Sequence, residues 1–234
     1  MKINYYKLFL SLTLLICISC TKKKIPKKFS GKKLVTYGHS IIEQNRWQPK
    51  VVTDNGFTHI NLGVGSTQVT GNENHSISSN ERINEIPLDT DYLIVMFLMN
   101  DWTHSEKLGT PSDTNTSTIY GASKIMIERL ALRLPNTEII LMSETFASAI
   151  SRFPTTPFIN NQGMSTSDLT DFVKEIGNKY GLQIIDMSLC GWNENNISEY
   201  VDKEKDGSFI HPNRTFGADR MSYIVNNFFN SIKP

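Results

Sequence analysis

The sequence predicts an α/β fold with three layers: a central, mostly parallel sheet of five strands and helices on both of its faces. Two observations support this. Short β-rich or apolar runs alternate with amphipathic helical patterns along most of the 234 residues. The middle run, Tyr92 to Leu98, is apolar throughout, as expected for a strand that is buried on both faces. Strands that alternate with helices form parallel sheets, because each helix returns the chain across a face of the sheet.

The five expected strands are short and are separated by segments of helical periodicity. We expect strands at residues 34–37, 57–64, 92–98, 138–142 and 183–186. Apolar residues then recur every three or four positions over residues 122–134, 169–180 and 221–232. Ser167 is the expected N-cap of the second of these helices, and Gly181 ends it. No internal repeat or second domain is predicted.

Composition and charge exclude several classes of function. The chain is 39% apolar and 20% charged, which is typical of a globular domain and not of a disordered one. Residues 1–33 contain nine Lys and no acidic residue, so residues 34–234 carry all 23 acidic and only 15 basic residues, a net charge of −8. An acidic body argues against a nucleic-acid partner. No metal-ligand spacing and no phosphate-binding glycine loop is present, so we expect no metal and no other cofactor.

The first 19 residues are predicted to be an export signal. Lys2 and Lys7 precede an apolar run of twelve residues, which is too short to span a bilayer. The run ends in Ser19-Cys20, which resembles the lipobox of bacterial lipoproteins. The resemblance implies cleavage before Cys20, lipid attachment to its thiol, and anchoring in the bacterial cell envelope on its periplasmic or surface face. An ordinary secretory signal, in which Cys20 is incidental, remains the alternative.

Residues 20–33 form a Lys-rich, Pro-containing segment that we predict to be a tether between the lipidated cysteine and a domain over residues 34–234. Lysines close to an anionic membrane surface gain about 1 kcal/mol each. The tether is therefore expected either to contact the membrane through its charge or to be a merely solvated linker.

Residues suited to acyl transfer follow the expected strands. Ser40 follows the first strand, Ser66 the second and Asn100 the third, and His211 precedes the last helix. Functional sites of parallel α/β sheets lie at the carboxyl ends of the strands. A serine supplies an oxygen nucleophile, a histidine removes its proton, and amide N–H groups stabilise the oxyanion that forms. Taken singly, each residue is more typical of a helix cap, a turn or the surface, and only their joint placement favours catalysis.

Four short motifs in this order resemble the SGNH (GDSL-type) hydrolases, over about residues 34–230. The motifs are the segments 38–44, 61–67, 100–102 and 211–213, the last followed by Gly217. The resemblance implies the flavodoxin-like three-layer fold of that family and a carboxylic ester hydrolase. By position, it implies that Ser40 is the nucleophile, Asn100 an oxyanion donor and His211 the general base.

The sequence departs from the family pattern at four positions. His39 stands where the family has Asp, and a residue adjacent to the nucleophile is expected to point away from it. Leu98 and Ser66 replace glycines, and the backbone N–H of Ser66 is still expected to serve the oxyanion hole. Ser208 occupies the usual position of the acid. We therefore expect Asp206 to orient His211, with Asp202 and Glu204 as alternatives.

These residues predict a serine esterase that removes small acyl groups such as acetyl, with a carbohydrate or a similar polar molecule as substrate. The polar loop over residues 100–118 argues against a long-chain lipase, and Trp102 is the expected substrate-binding aromatic residue. Two alternatives remain open. One is a catalytically impaired glycan-binding lipoprotein of the same fold, and the other is a structural lipoprotein.

Overall fold

A five-stranded parallel sheet forms the centre of the molecule. In a computed structural model of the chain, the described residues are 26–71, 78–149, 151–153 and 158–234. The strands of this sheet are β1 (Lys33–Gly38), β2 (Thr58–Gly63), β3 (Tyr92–Met96), β4 (Glu138–Met142) and β5 (Gln183–Ile185). Their order is β2-β1-β3-β4-β5, and every neighbouring pair is parallel. The predicted fold class is confirmed, and each predicted strand lies within a few residues of its expected position.

Helices flank the sheet on both sides. They are α1 (Ser40–Glu43), α2 (Gln48–Asn55), α3 (Ser79–Arg82), α4 (Met99–Thr103), α5 (Ile119–Arg133), α6 (Thr166–Tyr180), α7 (Ile197–Tyr200) and α8 (Phe216–Ser231). Two further strands, β6 (Val201–Lys203) and β7 (Phe209–Pro212), pair antiparallel as a separate hairpin. The sequence analysis did not predict this hairpin, and it carries part of the site.

Local chemistry sets the ends of helix α6. Its N-cap is Ser165 and not Ser167 as predicted, because the hydroxyl of Ser165 accepts the N–H of Asp168 while the carboxylate of Asp168 accepts the N–H of Ser165. This reciprocal pair satisfies two N–H groups that a helix start otherwise leaves free. The helix ends at Gly181, whose φ of +66° suits a residue without a side chain.

The last part of the predicted tether packs against the domain. Phe29 has no exposed surface, and its ring lies 4.8 Å from that of Phe57, 5.3 Å from Tyr92 and 5.4 Å from Phe229. Lys28 donates from Nζ to the carbonyl of Phe229 at 2.8 Å, near the end of α8. A lysine at this place neutralises free carbonyls at the helix terminus. The folded domain therefore begins before residue 34, which corrects the predicted boundary.

The predicted signal segment 1–19 and Cys20 lie outside the described residues. Within the part of the chain that the structure describes, no helix combines the length and the apolar character needed to cross a membrane.

Close packing at the end of β1 directs the chain into the site. A Cβ atom on Gly38 would lie 1.9 Å from the carbonyl oxygen of Met96 on the neighbouring strand β3, so only glycine fits there. The chain then turns directly into α1, whose first residue is Ser40. The turn places Ser40 at the carboxyl edge of the sheet, where the loops that follow β2 and β3 also emerge.

Candidate active site

Ser40 and His211 form a hydrogen-bonded pair at the carboxyl edge of the sheet. The Oγ of Ser40 lies 2.8 Å from Nε2 of His211, which belongs to β7 of the hairpin. The two residues are 171 positions apart in sequence and come together only through the fold. A serine hydroxyl within hydrogen-bond reach of an imidazole nitrogen is the geometry that lets the imidazole remove the hydroxyl proton during attack.

Glu204, and not the expected Asp206, accompanies His211. The Oε1 of Glu204 lies 2.6 Å from Nδ1 of His211. Asp206 instead accepts the hydroxyl of Ser151 at 2.6 Å and the N–H of Ser208 at 3.0 Å. These hydrogen bonds, the one from Ser151 first, hold the pKa of the Asp206 carboxyl below its usual range. The expectation that Asp206 orients His211 was wrong.

The β6–β7 hairpin explains this exchange of acids. The backbone N–H of Glu204 donates to the carbonyl of Ser208 at 2.7 Å, and the N–H of Gly207 donates back to Glu204 at 3.0 Å. Residues 204–208 therefore close the turn, with Gly207 at a φ of +88°. Asp206 lies at the tip of this turn, whereas Glu204 leaves the end of β6 beside the strand that carries His211.

Arg46 fixes the hairpin to the region of the nucleophile. Its Nη1 lies 2.6 Å from the carboxylate of Asp202 and also donates to the carbonyl of Pro212. Asp202, the other alternative for the acid, is thus paired with an arginine. The residue after His211 is held to the segment between α1 and α2, so Arg46 helps to keep His211 beside Ser40.

Ser40, Ser66 and Asn100, each with an N–H group that could serve as a donor, line one pocket. The Nδ2 of Asn100 donates one hydrogen to the carbonyl of Thr67 at 2.9 Å, which leaves its second hydrogen for a ligand. The N–H of Ser40 is the first of a helix and has no acceptor within that helix. Ser66 lines the same pocket and has a φ of +61°, the left-handed conformation that a residue other than glycine adopts at a cost. This arrangement suits the stabilisation of an oxyanion.

Asp101 supports the loop that carries Ser66. Its carboxylate is completely buried and accepts the N–H of Val69 at 3.0 Å and the N–H and hydroxyl of Thr70 at 3.1 and 2.7 Å. Burial raises the pKa of Asp101 to about 7, although the hydrogen bonds from Val69 and Thr70 oppose this shift. Asn100 and Asp101, adjacent on α4, thus both hold the Ser66 loop in place.

His39 points into the core, away from the pocket. It is completely buried, and its Nε2 lies 3.1 Å from the Oε2 of Glu144, which is also buried. The expectation that His39 is not the base agrees with this geometry. The sequence analysis did not identify Glu144, which follows β4 in a segment with no recognisable motif.

The pocket in front of Ser40 has a volume of about 440 Å³, and most of the residues that line it have polar side chains. Besides the residues already named, it is lined by Gly65, Thr103, His104, Ala149, Arg152 and Ile210. Arg152 donates from Nη1 to the carbonyl of Thr103 at 2.7 Å. The sequence analysis missed His104, Ser151 and Arg152, because loops bring them to the pocket. A larger cavity, of about 790 Å³, lies around the beginnings of β1, β3 and β4, at the opposite edge of the sheet.

Trp102 does not line this pocket. It is fully buried, its Nε1 donates to the carbonyl of Met164 at 2.8 Å, and its ring packs against Phe153 at 5.2 Å between centroids. The expected role of Trp102 in substrate binding is therefore corrected to a packing role. Its place in the sequence, immediately after the site loop, did not reveal that its side chain turns inward.

Solved structures resemble the chain over most of its length. A protein from Lactobacillus plantarum matches with a TM-score of 0.75 at 20% identity, covering 86% of this chain and 98% of its own. The aryl esterase of M. smegmatis matches at 0.61 and 14%, covering 86% and 99%. An acetyl xylan esterase matches at 0.60 and 15%, covering 86% and 100%. Others of similar score are described as GDSL-like lipases from Bacteroides species.

The chain has the SGNH hydrolase fold. No family model and no curated protein matches the sequence, so the likeness is one of structure. The four motifs of the SGNH pattern fall at the carboxyl edge of the sheet and on the hairpin, around a single pocket. Two of the departures from the pattern are accompanied by local changes in structure. Ser66, in place of a glycine, adopts a left-handed conformation, and Glu204 supplies the carboxylate beside His211.

Proposed function

We propose that the chain is an exported serine esterase that removes small acyl groups, acetyl among them, from a carbohydrate or a similar polar alcohol. The observation that carries this proposal is the continuous hydrogen-bonded chain from Ser40 Oγ through His211 to Glu204, at 2.8 and 2.6 Å. Such a chain has the geometry of the serine–histidine–acid triad.

In the first step, the Oγ of Ser40 attacks the ester carbonyl while Nε2 of His211 takes its proton. The carboxylate of Glu204 stabilises the imidazolium that results and keeps the ring in the required orientation. The negative charge that develops on the carbonyl oxygen is stabilised by the amide of Asn100 and by the N–H groups of Ser40 and Ser66. His211 then gives its proton to the leaving alcohol, and an acyl-serine forms.

In the second step, water replaces the alcohol. His211 removes a proton from the water, whose oxygen attacks the acyl carbonyl, and the same donors stabilise the second oxyanion. The carboxylic acid leaves as the proton returns from His211 to Oγ of Ser40. No metal or other cofactor enters either step.

The lining of the pocket favours a small acyl group and a polar alcohol. Thr103, Ser151 and Arg152 present hydroxyl and guanidinium groups beside Ser40, whereas a long acyl chain needs a continuous apolar channel. The name of the acetyl xylan esterase neighbour points in the same direction. We therefore favour short esters on a hydroxyl-rich molecule.

We further propose that Cys20 carries a lipid that anchors the enzyme in the bacterial cell envelope. Pro26 lies six positions after Cys20, a separation that an extended chain spans with at most about 22 Å. Lys28 and Phe29 are fixed near the beginning of β1, at the edge of the sheet opposite the pocket. A short link at that edge would direct the pocket away from the membrane.

Replacing Cys20 with Ala should release the protein from the membrane fraction, and its retention there would contradict the lipid anchor.

A fluorophosphonate probe tests the esterase proposal without knowledge of the substrate. Residues 21–234 are treated with the probe, and intact mass is compared between the wild type and Ser40→Ala. We expect one adduct on the wild type and none on the variant. No adduct on the folded wild type would contradict the esterase and favour the glycan-binding alternative.

A series of p-nitrophenyl esters then tests the acyl group. We expect kcat/KM to be highest for acetate and to fall as the chain lengthens from butyrate to octanoate. Acetate release from acetylated xylo-oligosaccharides tests the alcohol. A preference for octanoate would contradict the small-acyl assignment.

A further inference from the structure

A buried histidine–glutamate pair lies directly behind the candidate nucleophile. The Nε2 of His39 is 3.2 Å from Oε1 and 3.1 Å from Oε2 of Glu144, and neither side chain has any exposed surface. His39 is adjacent to Ser40, whereas Glu144 follows β4 on the far side of β3. Neither residue has a part in the proton transfers proposed above.

The partners of His39 indicate where its proton lies. Its Nδ1 accepts the backbone N–H of Ile41 at 3.4 Å, so Nδ1 carries the lone pair. The hydrogen is then on Nε2 and is donated to the carboxylate of Glu144. The imidazole of His39 is therefore oriented by hydrogen bonds at both of its nitrogens.

The same carboxylate also holds the start of a second helix. The Oε1 of Glu144 accepts the N–H of Leu98 at 2.7 Å, and Leu98 is the residue before α4, which carries Asn100. His39 is in turn the N-cap of α1, which begins at Ser40. One buried side chain is thus bonded, directly or through one imidazole, to the starts of the two helices that carry the nucleophile and the oxyanion donor.

Stability alone does not account for such a pair. Burying a carboxylate is costly, and apolar residues of similar volume often serve a protein core equally well or better. The pair instead constrains the geometry of the backbone, because each of its hydrogen bonds fixes the position of one segment relative to another.

We propose that Glu144, acting through His39 and through the N–H of Leu98, is a positioning residue that holds Ser40 and Asn100 at the separation required for acyl transfer. This inference rests on the proposed esterase function and deepens it. According to this inference, Glu144 sets the distance between Ser40 and Asn100 although its own side chain does not touch the substrate.

The test replaces the pair by apolar residues in the double variant His39→Leu, Glu144→Met, which leaves neither member of the pair without the other but removes the acceptors of the Leu98 and Ile41 N–H groups. We expect the variant to fold with a lower melting temperature, because these buried N–H groups lose their acceptors. We expect kcat for p-nitrophenyl acetate to fall on the order of 100-fold with little change in KM, because a misplacement of about 1 Å has that effect on an aligned reaction. The variant His39→Gln, which keeps an N–H for Glu144, should recover part of the loss.

A matched control makes the same kind of replacement away from the pocket. The hydroxyl of Thr36 and Nε2 of His59 lie 3.0 Å apart on β1 and β2, and the double variant Thr36→Val, His59→Leu removes this pair. We expect its kcat to equal that of the wild type. An equal loss of kcat in both double variants would overturn the positioning role, as would a folded His39→Leu, Glu144→Met protein with wild-type kcat.

Crystal structures separate this inference from the esterase proposal. If fluorophosphonate labels Ser40 of the wild type, the kcat values of the double variants test the positioning role of Glu144. If it does not label Ser40, the esterase proposal fails, and crystal structures then test whether Glu144 sets the distance between Ser40 and Asn100. An Asn100 amide displaced relative to Ser40 Oγ in the double variant supports the positioning role, and an unchanged separation overturns it. Should the double variant not fold, Glu144→Asp takes its place, with the same expected loss in kcat at constant KM.

Discussion

Glu204 lies seven residues before His211 in the sequence and 2.6 Å from it in space, across the turn of the β6–β7 hairpin. The hairpin therefore carries both the base, His211, and its acid, Glu204. Arg46 bonds the hairpin to the region of Ser40. Because the turn between the strands holds Asp206 at its tip, the acid nearer to the histidine in sequence is the one excluded from contact.

This relationship predicts opposite outcomes for two conservative substitutions. Glu204→Gln should lower kcat by roughly 10³- to 10⁴-fold, because the amide no longer stabilises the imidazolium charge on His211. Asp206→Asn should leave kcat near the wild-type value. Turnover of p-nitrophenyl acetate measures both, and melting temperatures control for folding. If the Asp206 variant were the slower one, Glu204 would lose its assignment as the acid.

The left-handed conformation of Ser66 predicts an effect on stability. A residue other than glycine pays about 1–2 kcal/mol at such a φ, whereas glycine adds about 0.4–1 kcal/mol of unfolded-state entropy. Ser66→Gly should therefore equal the wild type or exceed it by up to about 1.6 kcal/mol, and it should keep its activity because the backbone N–H is retained. Ser66→Val should be less stable than both. Urea unfolding gives the free energies, and a Gly variant clearly less stable than the wild type would contradict the strain.

The raised pKa of Asp101 predicts a specific dependence of stability on pH. Its pKa is about 7 in the folded protein and about 3.9 in the unfolded chain, so the folded state binds more protons between these values. The contribution of Asp101 to the free energy of unfolding therefore falls as pH rises from about 4 to about 7, by at most about 1.4 kcal/mol per pH unit.

Comparison with Asp101→Asn isolates this contribution, because the other titrating groups are common to both proteins. The difference in free energy of unfolding, wild type minus variant, should decline between about pH 4 and 7 and level off at higher pH. Urea unfolding at intervals over this range measures it. A difference that stays constant with pH would show that Asp101 remains ionised throughout.

The sheet could be predicted from the sequence because its signals are local. The apolar run that forms β3 is typical of a strand buried on both faces. Gly181 ends α6 because a single glycine adopts the left-handed conformation there. The positions of Ser40 and Asn100 followed from the rule that strands of a parallel sheet present their carboxyl ends at one edge, whereas His211 was identified by its place before the last helix and by the family resemblance. Each of these inferences needed only a short segment and its period.

To predict which acid contacts His211, the turn of the β6–β7 hairpin had to be predicted first. The dipeptide Asp206-Gly207 between two β-rich segments is a signal for a tight hairpin, and it was present in the sequence. A hairpin there would have placed Asp206 at the tip and drawn attention to Glu204. The pairing of Glu144 with His39 had no comparable signal, since it joins two strand ends across the sheet and depends on the packing of the whole core.

The burial of Trp102 predicts that its replacement changes stability and not substrate affinity. Trp102→Phe keeps most of the ring contact with Phe153 but leaves the carbonyl of Met164 without the indole N–H. That carbonyl keeps the N–H of Asn160 at 2.8 Å, so the variant loses one hydrogen bond without leaving the carbonyl unpaired. Such a bond contributes about 0.5–1.5 kcal/mol, so the free energy of unfolding should fall by about that amount while KM for acetylated xylo-oligosaccharides stays constant.

Trp47→Phe is the matched control for this prediction. Trp47 is equally buried, and in the part of the chain that the structure describes its indole N–H has no hydrogen-bond partner. Its replacement removes a similar volume but no hydrogen bond, so it should cost less stability than Trp102→Phe. A rise in KM for the Trp102 variant alone, without loss of stability, would instead mean that this side chain turns outward to meet the sugar.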